Sequence, residues 1–325
     1  MQVFTDLSEV PEDFGPSVVT IGNFDGVHRG HQAVLARLVR LARADGCAAV
    51  AVTFDPHPAA VHRPDSAPEL ITGIDDRLEL LAETGLDAVL VIRYTLDFAE
   101  QSPEEFVTRY LTGALGARSV VVGHDVRFGR ANAGTLATMV DLGGRHGFEV
   151  VAIDDVGECQ PAQDGAGQRW SSSAARALIA EGDVAQAADV LGRPHRVRGV
   201  VVRGDARGRE LGFPTANLGD IAGMVPADGV YAGWLRRPGL AGQKPADPDA
   251  LLPAAISIGT NPTFDGVERR VEAYVLDRTD LDLYGEEVVL EMVEHLRPTV
   301  RFDGIEALVE QMTHDVARAR GVLLS

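Results

Sequence analysis

The apolar positions of this chain change rhythm once, near its middle. In the first half, short unbroken apolar runs occur at Val18–Ile21, Ala48–Phe54, Ala88–Ile92, Ser119–Val122 and Val150–Ile153. Between them lie stretches patterned at helical spacing, about 31–45, 75–84, 103–115 and 134–146. Runs without polar alternation are what strands buried on both faces require. Alternation of strand and helix then predicts a parallel sheet with helices on both sides. Ligands of such sheets sit beyond the carboxyl ends of the strands. The turns there would bring His28 and His31, Asp55 and His57, and Asp125 and Arg127 toward one edge.

Residues 154–169 are polar and rich in Gly, Asp and Gln, so they read as a surface loop. A helix should follow, capped by Ser171, Ser172 or Ser173, with Ala174–Ala180 as its body. Another helical stretch, about 183–191, stops at Gly192 and Pro194, which sets an expected domain boundary: residues 1–192 and residues 193–325. Beyond it the period shortens. His195–Arg203, Gly229–Leu235, Ala254–Gly259, Arg269–Val275 and Val288–Leu296 read as strands without intervening helices, which predicts an antiparallel barrel. Residues 236–253 read as a Pro/Gly/Asp-rich loop. The chain closes on an amphipathic helix, about 303–321, with Ile305, Leu308, Val309 and Met312 on one face.

Composition narrows what such a chain can do. Its 325 residues suffice for two domains. Asp and Glu number 48 against 30 Lys and Arg, a net charge of −18, which disfavours a nucleic-acid partner. Neither a leader pattern nor an apolar run of spanning length is present, so the expectation is a cytoplasmic protein with no membrane partner. Self-association is left open. Cys47 and Cys159 are far apart with no CxxC spacing, which argues against a disulfide framework or a structural zinc. Lys244 is the only lysine and no GxxxxGK[ST] occurs, so phosphate charge in the first half must be met by histidine, arginine, backbone N–H groups and a metal ion.

Two segments carry candidate chemistry. Residues 22–31, GNFDGVHRGH, stand where a strand hands over to a helix. Free N–H groups and the positive end of the helix dipole make that place an anion site, and two imidazoles three residues apart can both reach it. The expected ligand is a nucleotide polyphosphate. Residues 203–218, RGDARGRELGFPTANL, combine glycines that permit close backbone approach with arginines that supply forked donors. Thr215 and Asn217 there offer hard oxygens at alternate positions, a donor set suited to Mg²⁺ held together with ATP phosphates. A plain hairpin with a polar turn is the competing reading.

TIGNFDGVHRGH resembles the HxGH signature of the nucleotidyltransferases, in the form typical of bacterial bifunctional riboflavin kinase/FAD synthetases. VTFDPHP, VVGHDVRFGR and the segment from Ser171 to Arg176 are similar to the FAD synthetase pattern. GRELGFPTANL resembles the riboflavin kinase PTAN block and is followed in order by VPADGVYAG, ISIGTNPTF, RRVEAYVLD, DLYGEEV and EHLRPTVRF. The resemblance implies a Rossmann-like α/β nucleotidyltransferase domain followed by a small riboflavin kinase β-barrel with a C-terminal helix. The implied activities are phosphorylation of riboflavin to FMN and adenylylation of FMN to FAD, with ATP as co-substrate and Mg²⁺ as metal. It implies Glu272 as base for the flavin hydroxyl, and His28 and His31 as stabilisers of phosphate charge. The implied nucleotide and flavin contacts are Gly22, Phe24, Asp25, Gly30, Asp55, His57, Asp125, Arg127, Arg169, Ser172, Ser173 and Arg176 in the first module. In the second they are Gly208, Arg209, Gly212, Pro214 and Arg297, with Thr215 and Asn217 toward the metal. The chain departs from the pattern at Val126, Ala174 and Ala175, positions that bear on the fit of adenine and flavin. Three alternatives stay open: one active module only, a different adenylyltransferase fused to a sensing barrel, or a flavin carrier without turnover.

Overall fold

The computed structural model describes all residues but 154–169, 205–207, 209–210, 242–246 and 264–265, together with the side chains of 261–268. The loop expected over 154–169 and the residues Arg169, Arg207 and Arg209 therefore lie outside the described residues. By packing, the chain divides into two units, Met1–Glu69 with Ile74–Ser171, and Leu70–Gly73 with Ser172–Ser325.

The first unit is built on six parallel strands in the order β1-β4-β3-β2-β5-β6. They are β1 (Gln2–Phe4), β2 (Ser17–Ile21), β3 (Ala48–Asp55), β4 (Ala88–Arg93), β5 (Ala117–Gly123) and β6 (Glu149–Ile153). Alternate residues serve opposite faces: Val19, Val50, Val52, Leu90, Val120 and Val122 join one core, and Val18, Ala49, Ala51, Val89, Val91 and Val121 the other. This double burial is why the runs show no polar alternation. Among the described residues six α-helices accompany the sheet: α1 (Arg29–Asp45), α2 (Pro58–His62), α3 (Ile74–Ala82), α4 (Leu96–Ala99), α5 (Pro103–Phe106) and α6 (Leu136–His146). The single helix expected over 103–115 is instead α5 continued by a π-helical stretch, Val107–Ala114. Thr108 and Thr112 bond back to carbonyls of the preceding turns, a local competition with regular α-helical bonding. The strand order reverses at β2, with β3 on one side and β5 on the other, and this reversal opens a crevice at the carboxyl ends of β2 and β5.

The second unit is a closed antiparallel barrel in the order β10-β11-β8-β7-β12-β9. Its strands are β7 (His195–Val202), β8 (Ala216–Ala222), β9 (Gly229–Arg236), β10 (Leu251–Thr263), β11 (Gly266–Val275) and β12 (Glu287–Arg297). Strand β8 was not expected; Gly219 and the positive φ of Asp220 (49°) break its alternation and hide it from a period-2 pattern. Strand β10 begins at Leu251, inside the stretch that reads as loop. Val197, Leu218, Tyr231, Leu235, Ile256, Val271 and Leu290 fill the interior. Helices α7 (Ser172–Glu181) and α8 (Val184–Leu191) belong by packing to this unit, with Val184 of α8 in the barrel core. Helix α9 (Ile305–Leu323) lies against β9, β10 and β12.

Candidate active sites

The turn between β2 and α1 is bent by residues that pay a conformational cost. Phe24 and Val27 have φ of 49° and 37°, although neither is glycine. Such positions cost on the order of 1–3 kcal/mol each and persist only where the surroundings over-determine them. Here Phe24, Asp25, Val27 and His28 are all buried. A Cβ on Gly22 would fall 3.0–3.2 Å from the Phe24 ring, and one on Gly30 would fall 3.0 Å from the His28 ring and 3.3 Å from the Trp170 carbonyl. Two of the motif's three glycines, Gly22 and Gly30, are thus held to glycine by close packing against Phe24 and His28, and the third, Gly26, takes a φ of 77°.

His28 caps α1: its Nδ1 accepts the His31 backbone N–H at 3.4 Å. The two imidazoles stack, with centroids 3.7 Å apart and planes 24° apart, and His31 meets Phe24 edge-on at 5.3 Å. His31 as a whole is half-buried, but its Nδ1 is sealed from solvent and has no hydrogen-bond partner. Burial, and then the neighbouring His28, push the His31 ring well below its ordinary value of 6.5, so it is neutral at neutral pH. Below 6.5 the unfolded chain takes up a proton that the folded ring refuses. This unit should therefore lose stability as pH falls through 6.5, until the folded ring itself titrates. Urea midpoints measured from pH 8 to pH 5 should fall more steeply for the native chain than for His31→Leu.

Behind this turn sits Arg77, fully buried on α3. Its Nη1 donates to the Phe54 carbonyl at 2.9 Å, the Asn23 carbonyl at 3.3 Å and Thr53 Oγ1 at 3.4 Å, tying the ends of β2 and β3 together. Burial lowers its pKa, while the charges of Asp25 and Asp55 favour the cation. Sequence reading missed it. The available signal was an arginine at spacing i, i+3, i+4 with Leu80 and Leu81 on the inward face of α3. Asp55 ends β3, and His57 caps α2 by accepting the Ala59 N–H at 3.1 Å.

The crevice at the strand ends holds a cavity of about 400 Å³. Gly22, Asn23, Asp125, Val126 and Arg127 line it, as does an aromatic wall of Phe54, Tyr94, Phe98, Phe106 and Phe128. Phe54, Tyr94 and Phe98 contact one another with centroids 5.2–5.9 Å apart. Four of the chain's 11 phenylalanines gather here, where they also pack into the core beneath the cavity. Asp125 and Arg127 were expected at this edge; the aromatic wall was not. Its members come from β3, α4, α5 and the turns after β4 and β5, and no window of sequence shows them together. Ser172, Ser173 and Arg176 lie in the opening turns of α7, in the second unit.

The barrel has its own cavity, of about 350 Å³, lined by Gly208, Thr215, Asn217, Glu272 and Arg297 among others. Strands β8 and β11 pair with Asn217 directly opposite Glu272, which sets the two side chains on one face. Asn217 Nδ2 lies 3.4 Å from Thr215 Oγ1. Phe213 and Tyr274 meet edge-on at 5.3 Å, and Leu308, Met312 and Val316 of α9 supply an apolar wall. Arg297 reaches the cavity after a β-bulge, but its guanidinium is committed: Nε and Nη2 donate to buried Asp315 at 2.6–3.0 Å, and Nη1 donates to the Pro298 carbonyl at 2.9 Å. Gly212 takes a φ of 87°. Pro214 lines a smaller adjoining cavity with Thr215, Arg278 and Tyr284.

A Cβ on Gly204 would fall 2.6 Å from the Asn217 carboxamide. That half-buried amide is the end of a flexible side chain and can move aside, so Gly204→Ala should leave folding intact and displace Asn217. We expect it to lower the activity of this barrel site by about tenfold, the scale of a 1–2 kcal/mol misplacement, and to leave the first unit's activity unchanged. Separate assays of the two sites check this.

A parallel α/β sheet with stacked imidazoles at a helix N-terminus, and a barrel with a carboxylate facing two neutral oxygen donors, define a nucleotide-dependent transferase with two sites. The family model for FAD synthetase matches residues 10–163, and that for riboflavin kinase matches residues 191–323. The bifunctional riboflavin kinase/FMN adenylyltransferase of Escherichia coli K12 is 35% identical over 97% of this chain and 95% of its own. That of Listeria monocytogenes is 36% identical over 92% and 90%, and that of Bacillus subtilis 33% over 95% and 93%. The chain belongs to this bifunctional riboflavin kinase/FMN adenylyltransferase family. A crystal structure described as a macrolide-efflux protein from Streptococcus pneumoniae superposes with a TM-score of 0.80, at 29% identity and 98% coverage of both chains. No helix among the described residues of this chain is long and apolar enough to cross a membrane.

Proposed function

We propose that the barrel site converts riboflavin to FMN and the β2–α1 site converts FMN to FAD, the functional modules being residues 1–192 and 193–325. In the barrel, the ribityl 5′-hydroxyl attacks the γ-phosphorus of ATP, the bond from that phosphorus to the β–γ bridging oxygen breaks, and ADP leaves. Glu272 accepts the hydroxyl proton. Thr215 and Asn217 offer neutral hard oxygens 2 residues apart in sequence and close in space. Among the described residues no group of three or more His, Cys, Asp or Glu side chains could hold a metal. That donor set fits an ion drawing its anionic ligands from the nucleotide, as Mg²⁺ does. When bound, Mg²⁺ would supply charge neutralisation for the phosphates. Gly208, Arg209, Gly212, Pro214 and Arg297 complete the proposed nucleotide and flavin contacts, Arg297 by way of its clamp on Asp315.

In the β2–α1 site, a phosphate oxygen of FMN attacks the α-phosphorus of a second ATP and pyrophosphate departs. The nucleophile is already anionic, so no base is required. His28, His31 and the N–H groups around Gly30 stabilise the charge that grows on the phosphates. Gly22, Phe24 and Asp25 shape the turn, and Asp55, His57 and Arg169 are the further proposed phosphate contacts. The aromatic cavity seats the isoalloxazine, with Asp125 and Arg127 at its polar mouth. A cytoplasmic location fits these freely diffusing substrates.

The observation that carries the reading is the sealed, unpartnered His31 Nδ1 in a neutral ring stacked at the head of α1, a group prepared for a ligand that brings its own charge. Incubation with riboflavin and Mg-ATP, followed by chromatography, should show FMN rising first and FAD afterwards. FMN accumulating without FAD would leave the kinase as the one working module.

A further inference from the structure

Among the described residues that line the aromatic cavity, one side-chain polar atom is both buried and without a partner. Gln101 lines the cavity among Phe98, Phe106 and Phe128. Its backbone is pinned on both sides, its N–H donating to the Phe98 carbonyl at 3.2 Å and its carbonyl accepting from the Arg130 N–H at 2.7 Å. Its side-chain Nε2 is turned to the Tyr110 hydroxyl at 3.4 Å. Its Oε1 is sealed from solvent and has no hydrogen-bond partner. A buried carbonyl oxygen without a donor is costly, and the cost disappears when a ligand brings an N–H to it.

Two further carboxamides, half-buried Asn23 and exposed Asn132, line the cavity, but among its described side chains Gln101 Oε1 alone is both sealed and unpartnered. Tyr94 Oη is 2.9 Å from His62 Nε2, so it is already engaged. Asp125 and Arg127 are exposed and suit the charged end of a ligand. An isoalloxazine is apolar at its dimethylbenzene end and carries a single ring donor, N3–H, between two carbonyls at the other. Its adenine rival would present an exocyclic amine instead. The flat aromatic wall favours the tricycle over the smaller base.

We propose that Gln101 Oε1 accepts the N3–H of the flavin and so fixes which end of the ring enters first; this rests on the cavity being the seat of FMN. The contact makes Gln101 a specificity-determining and positioning residue. Because N3 carries its hydrogen in both oxidised and reduced flavin, the contact does not discriminate between them.

The test compares FMN with N3-methyl-FMN as substrates for FAD formation, which reads the adenylylating site alone. In the native chain, N3-methylation should lower kcat/KM by about tenfold or more, the scale of one buried hydrogen bond with its acceptor left unpaired. In Gln101→Ala, kcat/KM for FMN should fall by a similar factor and the two flavins should become equivalent. Gln101→Glu keeps an acceptor and should restore both the FMN rate and the discrimination. A structural role alone would lower both substrates together and preserve their ratio. Equal use of the two flavins by the native chain, or an unchanged ratio in Gln101→Ala, overturns the proposal. Sensitivity to N6-dimethyl-ATP that disappears in Gln101→Ala would assign the oxygen to adenine and overturn it too. If Gln101→Ala does not fold, Gln101→Leu provides the same comparison. Were Phe54→Ala and Phe98→Ala to leave the KM for FMN untouched, the failure would lie with the seat itself and not with Gln101.

Discussion

His28→Asn should abolish nearly all FAD formation and leave FMN formation within about twofold of the native rate. The choice of asparagine matters. His28 Nδ1 caps α1 at 3.4 Å, so alanine would remove a cap as well as an imidazole, confounding about 1 kcal/mol of stability with chemistry. Asparagine is among the best capping residues and keeps the helix start. What it removes is the ring proposed to stabilise the departing phosphates, and loss of one such donor typically costs about 10²–10³ in kcat. His31→Leu should behave alike, since leucine fills the space against Phe24 and cannot donate. Initial rates of FAD from FMN and ATP, and of FMN from riboflavin and ATP, check both variants, with circular dichroism to confirm folding. Equal loss of both activities in a folded variant would contradict the assignment of the imidazoles to one reaction only.

The legible parts of this protein are those written in contiguous residues. Five of the six parallel strands announce themselves as short apolar runs, β2 to β5 because they are buried on both faces and β6 although it is a partly exposed edge strand; β1 does not, since it is a 3-residue edge strand with Phe4 as its one buried side chain. The turn between β2 and α1 is legible because a strand, a glycine turn, two histidines and a helix must follow one another in order. Glu272 and Asn217 are named by their motifs, but that they face each other is a matter of register between β8 and β11, and β8 carries no period to read.

What the sequence hides is assembled across elements. Arg77 looks like one more charge on an amphipathic helix until its side chain is found at the ends of two strands, donating to their carbonyls. The aromatic wall is similarly scattered from Phe54 to Phe128. Arg297 shows what a motif leaves out. The resemblance implies a nucleotide or flavin contact there, and the residue does line the barrel cavity, but its three nitrogens are bonded to Asp315 and Pro298. A guanidinium held so tightly orders the wall between β12 and α9. It would meet a phosphate directly only by exchanging partners, and burial of Asp315 makes that exchange expensive.

Glu272→Gln should produce the mirror image of the His28 result: FMN formation lost, FAD formation from supplied FMN retained. Glutamine keeps the size of the side chain and its place opposite Asn217, so the barrel and the donors around Thr215 should be undisturbed. It cannot accept the proton of the ribityl hydroxyl. General-base removal of this kind costs about 10²–10⁴ in rate. Phosphoryl transfer depends mainly on positioning and charge neutralisation, so the residual rate should sit at the smaller end of that loss, near 10²-fold, if the metal and loop groups are doing most of the catalysis. The pH profile separates the cases. A base lost from the reaction removes the acidic limb of kcat/KM for riboflavin, whereas a disturbed binding site raises the KM and leaves the limb in place. Retention of that limb together with a full rate in Glu272→Gln would move the base elsewhere in the cavity, and Asp315, the other carboxylate on its wall, is the group to which the same substitution would then be applied.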